Sequence, residues 1–233
     1  MTTLEIAVQD VAGAMAAVDA GADRLELCVA LAETGGLTPS LGLIERVVAA
    51  VPVGVHVLVR PRPGGFEHDA AEHDVMRRDI AVAVGAGASG VVVGALRAGR
   101  VDAVALADLV AAARGAEVTF HRAFDVVPDV TEALAGLAAA GVTRVLTSGG
   151  APRTIDGLDR LVGTVAAADG VQVMAGGGVR PVDIAAIVAT GVDAVHLSAG
   201  VRREDPGGPG GGPGGRTVTD PALGAAVRAA LDA

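Results

Sequence analysis

A short stretch in the middle of the chain places three ionisable side chains directly after a strand pattern. Apolar and polar residues alternate over residues 117–121, the period of two that is typical of a strand. His121, Arg122 and Asp125 follow at its end. Ionisable groups are costly to bury without a purpose, and parallel α/β folds build their sites at the carboxyl ends of strands. We therefore predict that these three residues are catalytic. The alternative is an Arg122–Asp125 ion pair that only shapes a turn.

The elements around this stretch repeat along the chain. Strand and helix patterns alternate eight times, and one short phrase recurs in which a glycine ends a helix and a strand starts soon after. The phrase occupies residues 20–25, 140–145 and 190–195, with a looser copy at 86–91. Eight strands that alternate with helices and repeat in pairs predict an α/β fold, a single-domain (β/α)8 or TIM barrel, rather than an open doubly wound sheet.

The end of the chain has a different composition from the barrel, which we assign to residues 1–204. Residues 205–217 are rich in glycine and proline, cannot bury a core, and are expected to form a mobile loop after the last strand. Residues 218–233 are expected to form the closing helix of the same domain, capped by Asp220 and Pro221.

Sorting each predicted strand by its two faces gives the barrel an unusually polar interior. One face is apolar and packs on the helices, whereas the other points into the barrel. Three of the five histidines lie on the inner face, while His68 and His73 fall on a surface loop or helix. One buried His or Glu is usually a satisfied core group, but ten converging positions predict a small-molecule or metal site at the carboxyl end of the barrel. These positions are Glu5, Glu26, Cys28, His56, Arg60, Thr119, His121, Met174, His196 and Ser198.

Glycine-rich loops follow the last two predicted strands. TIM barrels often bind phosphate there, through backbone N–H groups and a helix N-terminus, and glycine lets the backbone approach the ligand. Arg180 and Arg202 would add positive charge. The alternative is a pair of tight turns that bind nothing. The predicted phosphate-binding residues are Gly176, Gly177, Gly178, Ser198 and Gly200.

The composition excludes several classes of function. The net charge is −9 and the pI about 4.9, so binding to nucleic acid or to an anionic membrane surface is not expected. No apolar run is long enough to span a bilayer and no leader pattern precedes the first strand, which predicts a cytoplasmic protein. The chain contains no lysine, which excludes Schiff-base chemistry on a protein lysine. Its one cysteine, Cys28, excludes an internal disulfide.

Several stretches together resemble the CutC family of copper homeostasis proteins. The resemblance runs in order from the second predicted strand to the seventh, with a looser match at residues 195–196. It implies a TIM barrel, a cytoplasmic location, a homo-oligomer, and copper ion binding with copper as the cofactor. The matching stretches are residues 21–28, 35–40, 60–62, 119–125, 144–149 and 174–176, of which the piece His-Arg-Ala-Phe-Asp at 121–125 is the most specific.

Two functions of different classes remain open. The resemblance implies a Cu(I)-binding protein that uses Cys28. His56, His121 or His196 would lie nearby, and we predict His196 as the further metal ligand. Cu(I) prefers thiolate and thioether ligands, which Cys28 and Met174 supply, but there is no Cys-x-x-Cys motif or run of methionines.

The residues themselves favour an enzyme, without any copper cofactor, that acts by acid–base chemistry on a small phosphorylated or carboxylated metabolite. Glu26 or His121 would be the general acid or base, and Arg60 and Arg122 would hold the anion. The predicted catalytic set is Glu26, His56, Arg60, His121, Arg122 and Asp125. A variant of this hypothesis places a divalent cation between Glu5, Glu26 and the histidines.

Overall fold

Eight parallel strands close into a barrel in the computed structural model, which describes residues 2–209 and 214–233. Strands that follow one another in the chain are neighbours in the barrel, and the first strand closes the ring by pairing with both the second and the eighth. The prediction of an α/β fold of the (β/α)8 type is thereby confirmed. The strands are β1 (Thr3–Val8), β2 (Arg24–Leu27), β3 (Gly54–Leu58), β4 (Gly90–Val93), β5 (Glu117–Phe120), β6 (Arg144–Thr147), β7 (Gln172–Gly176) and β8 (Ala194–Leu197).

Helices cover the outside of the barrel between the strands. Most begin at an aspartate or serine whose side chain accepts a hydrogen bond from the first turn, as at Asp10, Ser40 and Asp220. Such caps satisfy backbone N–H groups that have no partner within the helix. The helices are α1 (Val11–Asp19), α2 (Leu31–Thr34), α3 (Leu41–Ala50), α4 (Ala70–Gly85), α5 (Ala103–Ala112), α6 (Val130–Ala139), α7 (Leu158–Ala167), α8 (Ile184–Val188) and α9 (Pro221–Leu231).

The repeated phrase of the sequence marks the point where a helix ends and the chain turns into the next strand. Gly21, Gly141, Gly191 and, in the looser copy, Gly87 all have φ between 82° and 95°. This left-handed conformation is open to glycine without the steric cost that a Cβ brings, and it is the usual way to end a helix. The repeat is therefore a backbone feature, and it sets the spacing of the strands.

The core has two layers that differ in chemistry. The large apolar layer lies between the barrel and its helices and takes up the apolar faces of the strands. Inside the barrel, by contrast, the buried apolar side chains of the described residues form two small groups, Cys28 with Leu58 and Val92, and Leu146 with Met174 and Ala194. Between these groups the interior is filled by buried charged and polar side chains. This polar interior is what the sorting of strand faces predicted.

The chain after β8 forms a hairpin before the last helix. Strand β9 (Gly200–Arg203) pairs antiparallel with β10 (Arg216–Thr219), so the last two residues of the predicted loop 205–217 belong to a strand. Residues 210–213 of that loop lie outside the described residues, and the division into residues 1–204, 205–217 and 218–233 stays a prediction. In the described part of the chain, none of the helices combines the length and the apolar character that a membrane span requires.

Candidate functional site

A cavity of about 760 Å³ opens at the carboxyl ends of the barrel strands. This is the end where the sequence predicted a site, and the loops after the strands form its walls. Ten of the thirteen predicted site residues line it, and His56, Cys28 and Gly176 do not. The predicted residues on its wall are Glu26, Arg60, His121, Arg122, Asp125, Gly177, Gly178, His196, Ser198 and Gly200.

Four charged side chains from three neighbouring strands form one buried network at the floor of this cavity. Glu5 on β1 is fully buried, accepts a hydrogen bond from Arg24 on β2, and lies 2.8 Å from His196 Nδ1 through its Oε1. The same Nδ1 is 3.9 Å from Glu26 Oε2. Burial opposes ionisation of Glu5, but the hydrogen bond with His196 and the charges of His196 and Arg24 outweigh it and hold the pKa of Glu5 well below its usual range.

Glu26 has the opposite electrostatic environment. Burial, together with the negative charge of Glu5, raises the pKa of Glu26 to about 7, although the charge of His196 works against this. Its Oε2 atom is buried and has no hydrogen-bond partner among the described residues. A carboxyl group that titrates near neutrality at the wall of a cavity can both take up and release a proton, so Glu26 fits the predicted role of general acid or base.

His121 is held as a neutral hydrogen-bond donor. Its Nδ1 accepts a hydrogen bond of 3.1 Å from the backbone N–H of Ala123, which places the ring proton on Nε2. Nε2 is buried at the cavity and has no partner among the described residues. Burial and the nearby charge of Arg60 lower the pKa of His121 to about 3. The sequence left either Glu26 or His121 as the general acid or base. The pKa values favour Glu26 for this role, and His121 is suited to donate a hydrogen bond.

The two predicted anion-binding arginines differ in how far they are already engaged. Arg60 is buried and donates to the carbonyl oxygens of Thr34 (2.7 Å), Gly36 (3.1 Å) and Gly64 (2.8 Å). Its guanidinium therefore holds two loops of the cavity wall together. Arg122 is about two-fifths exposed at the cavity, so part of its guanidinium remains open to a ligand.

Asp125 serves to hold Arg122 in place. It pairs with Arg122 Nε at 2.7 Å and accepts hydrogen bonds from Thr147 Oγ1 (2.6 Å) and from the backbone N–H of Ser148 (3.0 Å). Ser148 Oγ in turn accepts a hydrogen bond of 2.8 Å from Arg122. The Arg122–Asp125 ion pair, which the sequence analysis gave as the alternative to a catalytic role, is thus present. It orients the Arg122 guanidinium, which faces the cavity.

The glycine loop after β7 contributes backbone groups next to this cation. Gly177 and Gly178 have φ of 130° and 60°, and a Cβ on Gly177 would lie 3.3 Å from the guanidinium carbon of Arg122. In the described part of the chain, the N–H groups of Gly177 and Gly178 donate to no protein acceptor. Arg180, at the same wall, is more than half exposed although it pairs with Asp183. The loop therefore offers two N–H groups beside two cations, which suits a phosphate or carboxylate.

Three predicted site residues lie elsewhere. His56 is buried near the amino ends of the strands, where its Nε2 is 3.5 Å from Glu117 Oε2 and its ring lies against Gly90. Burial is the main reason that the pKa of His56 falls to about 4. Gly176 belongs to β7 itself and packs against His196 and Leu146. Cys28 points into the apolar group with Leu58 and Val92.

Sequence reasoning missed two arginines of the barrel interior: Arg24 belongs to the network at the floor of the cavity, whereas Arg144 lies with Glu117 near the amino ends of the strands. Arg24 pairs with Glu5, and Arg144, at the start of β6, is buried among Glu117, Gln172 and Thr119. The sequence pattern could have identified Arg24, because it lies two residues before Glu26 and therefore on the same face of the predicted strand. Arg144 had no comparable signal, because its partners are brought together only by the pairing of β5, β6 and β7.

The donor atoms of the described chain do not fit Cu(I). Burial, and secondarily the charge of Glu26, raise the pKa of the Cys28 thiol, which disfavours the thiolate that a metal requires. The Met174 sulfur accepts a hydrogen bond of 3.5 Å from Arg24. In residues 2–209 and 214–233, the one group of three donors close enough to share an ion is Glu5, Glu26 and His196, which suits a cation that prefers oxygen.

Comparison with known proteins gives one consistent result for residues 2–201, which match the family model described as "CutC family". A CutC protein from Caulobacter vibrioides is 48% identical over 200 residues, which cover 84% of this chain and 81% of that protein. The structure of CutC from Streptococcus agalactiae, which is named after copper homeostasis, has 32% identity and a TM-score of 0.79 over 84% of this chain and 98% of that one. Thiamine phosphate pyrophosphorylase from Pyrococcus furiosus has a TM-score of 0.66 at 14% identity, covering 99% of this chain and 95% of that one, and shares the fold alone.

Proposed function

The chain belongs to the CutC family, and from this premise we propose that it is an enzyme whose barrel mouth binds a small phosphorylated or carboxylated metabolite and transfers a proton through Glu26. The observation that carries the proposal is the state of Glu26. Its Oε2 is buried at the cavity and has no hydrogen-bond partner in the part of the chain that the structure describes, and its pKa of about 7 suits proton transfer at neutral pH.

The other residues of the cavity fit the roles that such a reaction needs. A C–H bond next to a carbonyl group loses its proton to the Glu26 carboxylate, and the electron pair moves onto the carbonyl oxygen. The Nε2–H of His121 donates a hydrogen bond to that oxygen as its negative charge develops. Because neutral imidazole donates without giving its proton away, the proton returns from Glu26 to carbon to complete an isomerisation or an exchange.

The anionic group of the substrate binds at the glycine loop. Arg122 and Arg180 supply positive charge, and the N–H groups of Gly177 and Gly178 supply directed hydrogen bonds. Ser198 and Gly200 lie on the same cavity and extend this wall. The proposed substrate thus spans from a charged end at Arg122 to a carbonyl group at His121.

The experiment is a screen of phosphorylated and carboxylated keto compounds in heavy water, in which NMR follows deuterium incorporation at the carbon next to the carbonyl. The native protein is expected to catalyse exchange with at least one compound, and Glu26→Gln to lose it by roughly 100-fold or more. Glu45→Gln, which changes an exposed carboxylate on α3, is the matched control and is expected to retain full exchange. Full exchange in Glu26→Gln would exclude the proposed role.

A role in copper homeostasis is the second candidate, and the name of the Streptococcus agalactiae relative favours it. The test is an anaerobic Cu(I) competition titration of the native protein and of Cys28→Ser. Stoichiometric binding that Cys28→Ser abolishes would support this candidate over the enzyme. Equal affinity in both proteins would exclude Cys28 as a ligand, as its apolar surroundings lead us to expect.

Family membership also motivates a cytoplasmic location and self-association of the chain. Light scattering after size-exclusion chromatography tests the second of these. A single species at the monomer mass over the micromolar range would rule it out.

A further inference from the structure

Two histidines outside the barrel mouth form an unusual pair at the start of α4. Their rings are 5.8 Å apart between centroids and meet edge to face at 86°. The side chain of His68 is fully buried, and all four ring nitrogens of His68 and His73 are buried without a hydrogen-bond partner among the described residues. Buried polar atoms normally have a partner, so these nitrogens point to a ligand.

The helix start positions this pair through a capping box, and Glu72 of that box lies close to one imidazole, with its Oε2 3.5 Å from His68 Nδ1 but outside hydrogen-bond geometry. Asp69 is the N-cap of α4, and it forms a capping box with Glu72, with hydrogen bonds of 2.8 and 2.9 Å. His68 precedes the cap, and His73 is the fourth residue of the helix. These are the two positions at which apolar side chains usually pack together as a hydrophobic staple. Imidazoles therefore stand where packing alone would favour leucine or phenylalanine.

A cavity of about 510 Å³ lies against both rings, between α4 and α5. Its cations are already paired, since Arg77 binds Asp74 and Arg97 binds Asp102. Asp108, on the α5 side of the cavity, takes part in no ion pair within the described residues and leaves a negative charge there. The cavity thus offers two imidazoles, a free carboxylate and room for water.

We propose that His68 and His73 form a binding site for a divalent transition metal ion of the kind that prefers imidazole nitrogen, namely Zn²⁺, Cu²⁺ or Ni²⁺. One ring nitrogen of each histidine coordinates the ion, and water fills the remaining positions. Burial lowers the pKa of His68, so its imidazole is in the neutral form that metal binding requires. The site is separate from the proposed proton transfer at Glu26.

The experiment is a calorimetric titration of the full chain with Zn²⁺, at neutral pH and after treatment with a chelator. The native protein is expected to bind one Zn²⁺ through this pair. His68→Leu and His73→Leu are each expected to weaken binding by roughly 10-fold or more, and the double variant to abolish it. Because leucine suits both staple positions, the metal-free variants should unfold within about 4 °C of the native protein.

Two further measurements locate the metal. Glu26→Gln, which changes the other possible metal group, is expected to leave the Zn²⁺ affinity within about twofold. Cu²⁺ bound to the native protein should give an electron paramagnetic resonance spectrum with splittings from two nitrogens, which the double variant lacks. Equal Zn²⁺ affinity in the native protein and the double variant, or no saturable binding by the native protein, would overturn the proposal whatever the result of the exchange experiment.

Discussion

The ring of His121 lies directly on Gly94, so closely that a Cβ at that position would come within 2.0 Å of Cε1 of the imidazole. Gly94 follows β4, and His121 follows the neighbouring strand β5. Any side chain at residue 94 would clash with the ring and displace it from this position. His121, the neutral hydrogen-bond donor of the proposed site, can therefore occupy this position because residue 94, just after strand β4, is a glycine without a Cβ.

Replacing Gly94 by alanine should therefore move His121 and disturb the site. We expect Gly94→Ala to destabilise the fold by about 1–3 kcal/mol and to change the His121 ring signals in ¹H–¹⁵N NMR spectra, which in the native protein should show the Nε2–H form from pH 5 to 9. Gly163→Ala is the matched control, because a Cβ on this glycine of α7 would have no neighbour within 4 Å. It should stabilise the fold by about 0.4–1 kcal/mol. Unchanged His121 signals in Gly94→Ala would contradict the prediction.

Glu26 should make the stability of the protein depend on pH in a defined direction. Its pKa rises from 4.5 to about 7 on folding, so the native state binds the proton more tightly than the unfolded chain does. The stabilisation that results is complete below about pH 4.5 and is lost as the pH rises through 7. Urea unfolding of the native protein and of Glu26→Gln should show the native protein losing stability relative to the variant between pH 5 and 8. A difference that stays constant across this range would argue against the raised pKa.

Glu5 should be far more important for stability than an exposed carboxylate. Glu5→Gln removes the partner of Arg24, whose side chain is only 12% exposed, and leaves a nearly buried cation without its counter-ion. We expect a loss of about 3–5 kcal/mol in the free energy of unfolding. Glu132→Gln breaks the exposed pair with Arg100 and should cost no more than about 1 kcal/mol. Similar losses in the two variants, measured by urea unfolding, would mean that the buried network stabilises the fold no more than an exposed ion pair does.

Cys28 should be unreactive in the folded protein. The thiol is fully buried in an apolar group, and burial raises its pKa, so both access and the thiolate form are suppressed. We expect Ellman's reagent at pH 8 to react roughly 1000-fold more slowly with the native protein than with the urea-unfolded chain or with glutathione. Rapid reaction of the native protein would show an exposed thiol and would reopen Cys28 as a metal ligand.

The residues at the carboxyl end of β5 illustrate what could be predicted from the sequence. The alternation over residues 117–121 places His121, Arg122 and Asp125 at the end of a buried strand, and the structure brings all three to the cavity. The repeated glycine phrase predicted the barrel, since a left-handed residue at the end of a helix is a local property of the backbone. Local patterns report the type of each element and the face on which a side chain lies.

His56 and Cys28 show a property that local sequence patterns do not report, the depth of a side chain within the barrel. Both were assigned to the inner face of the barrel, and both are buried there, but His56 lies near the amino ends of the strands and Cys28 packs between Leu58 and Val92. Strands in a barrel are tilted and staggered against one another, so the face of a residue does not give its depth along the barrel axis.

The pKa values of the two buried glutamates also depend on the tertiary structure. Glu5 and Glu26 are both buried glutamates on inner faces. His196 and Arg24 outweigh burial and lower the pKa of Glu5, whereas burial and the charge of Glu5 raise the pKa of Glu26. The partners come from strands that are far apart in sequence and are joined only where β8 closes the barrel against β1. The barrel and the types of residue at its mouth could be predicted from local sequence patterns. Which carboxyl group keeps its proton was decided by strand pairing, because a pKa depends on the charges and the burial that the fold brings to each group.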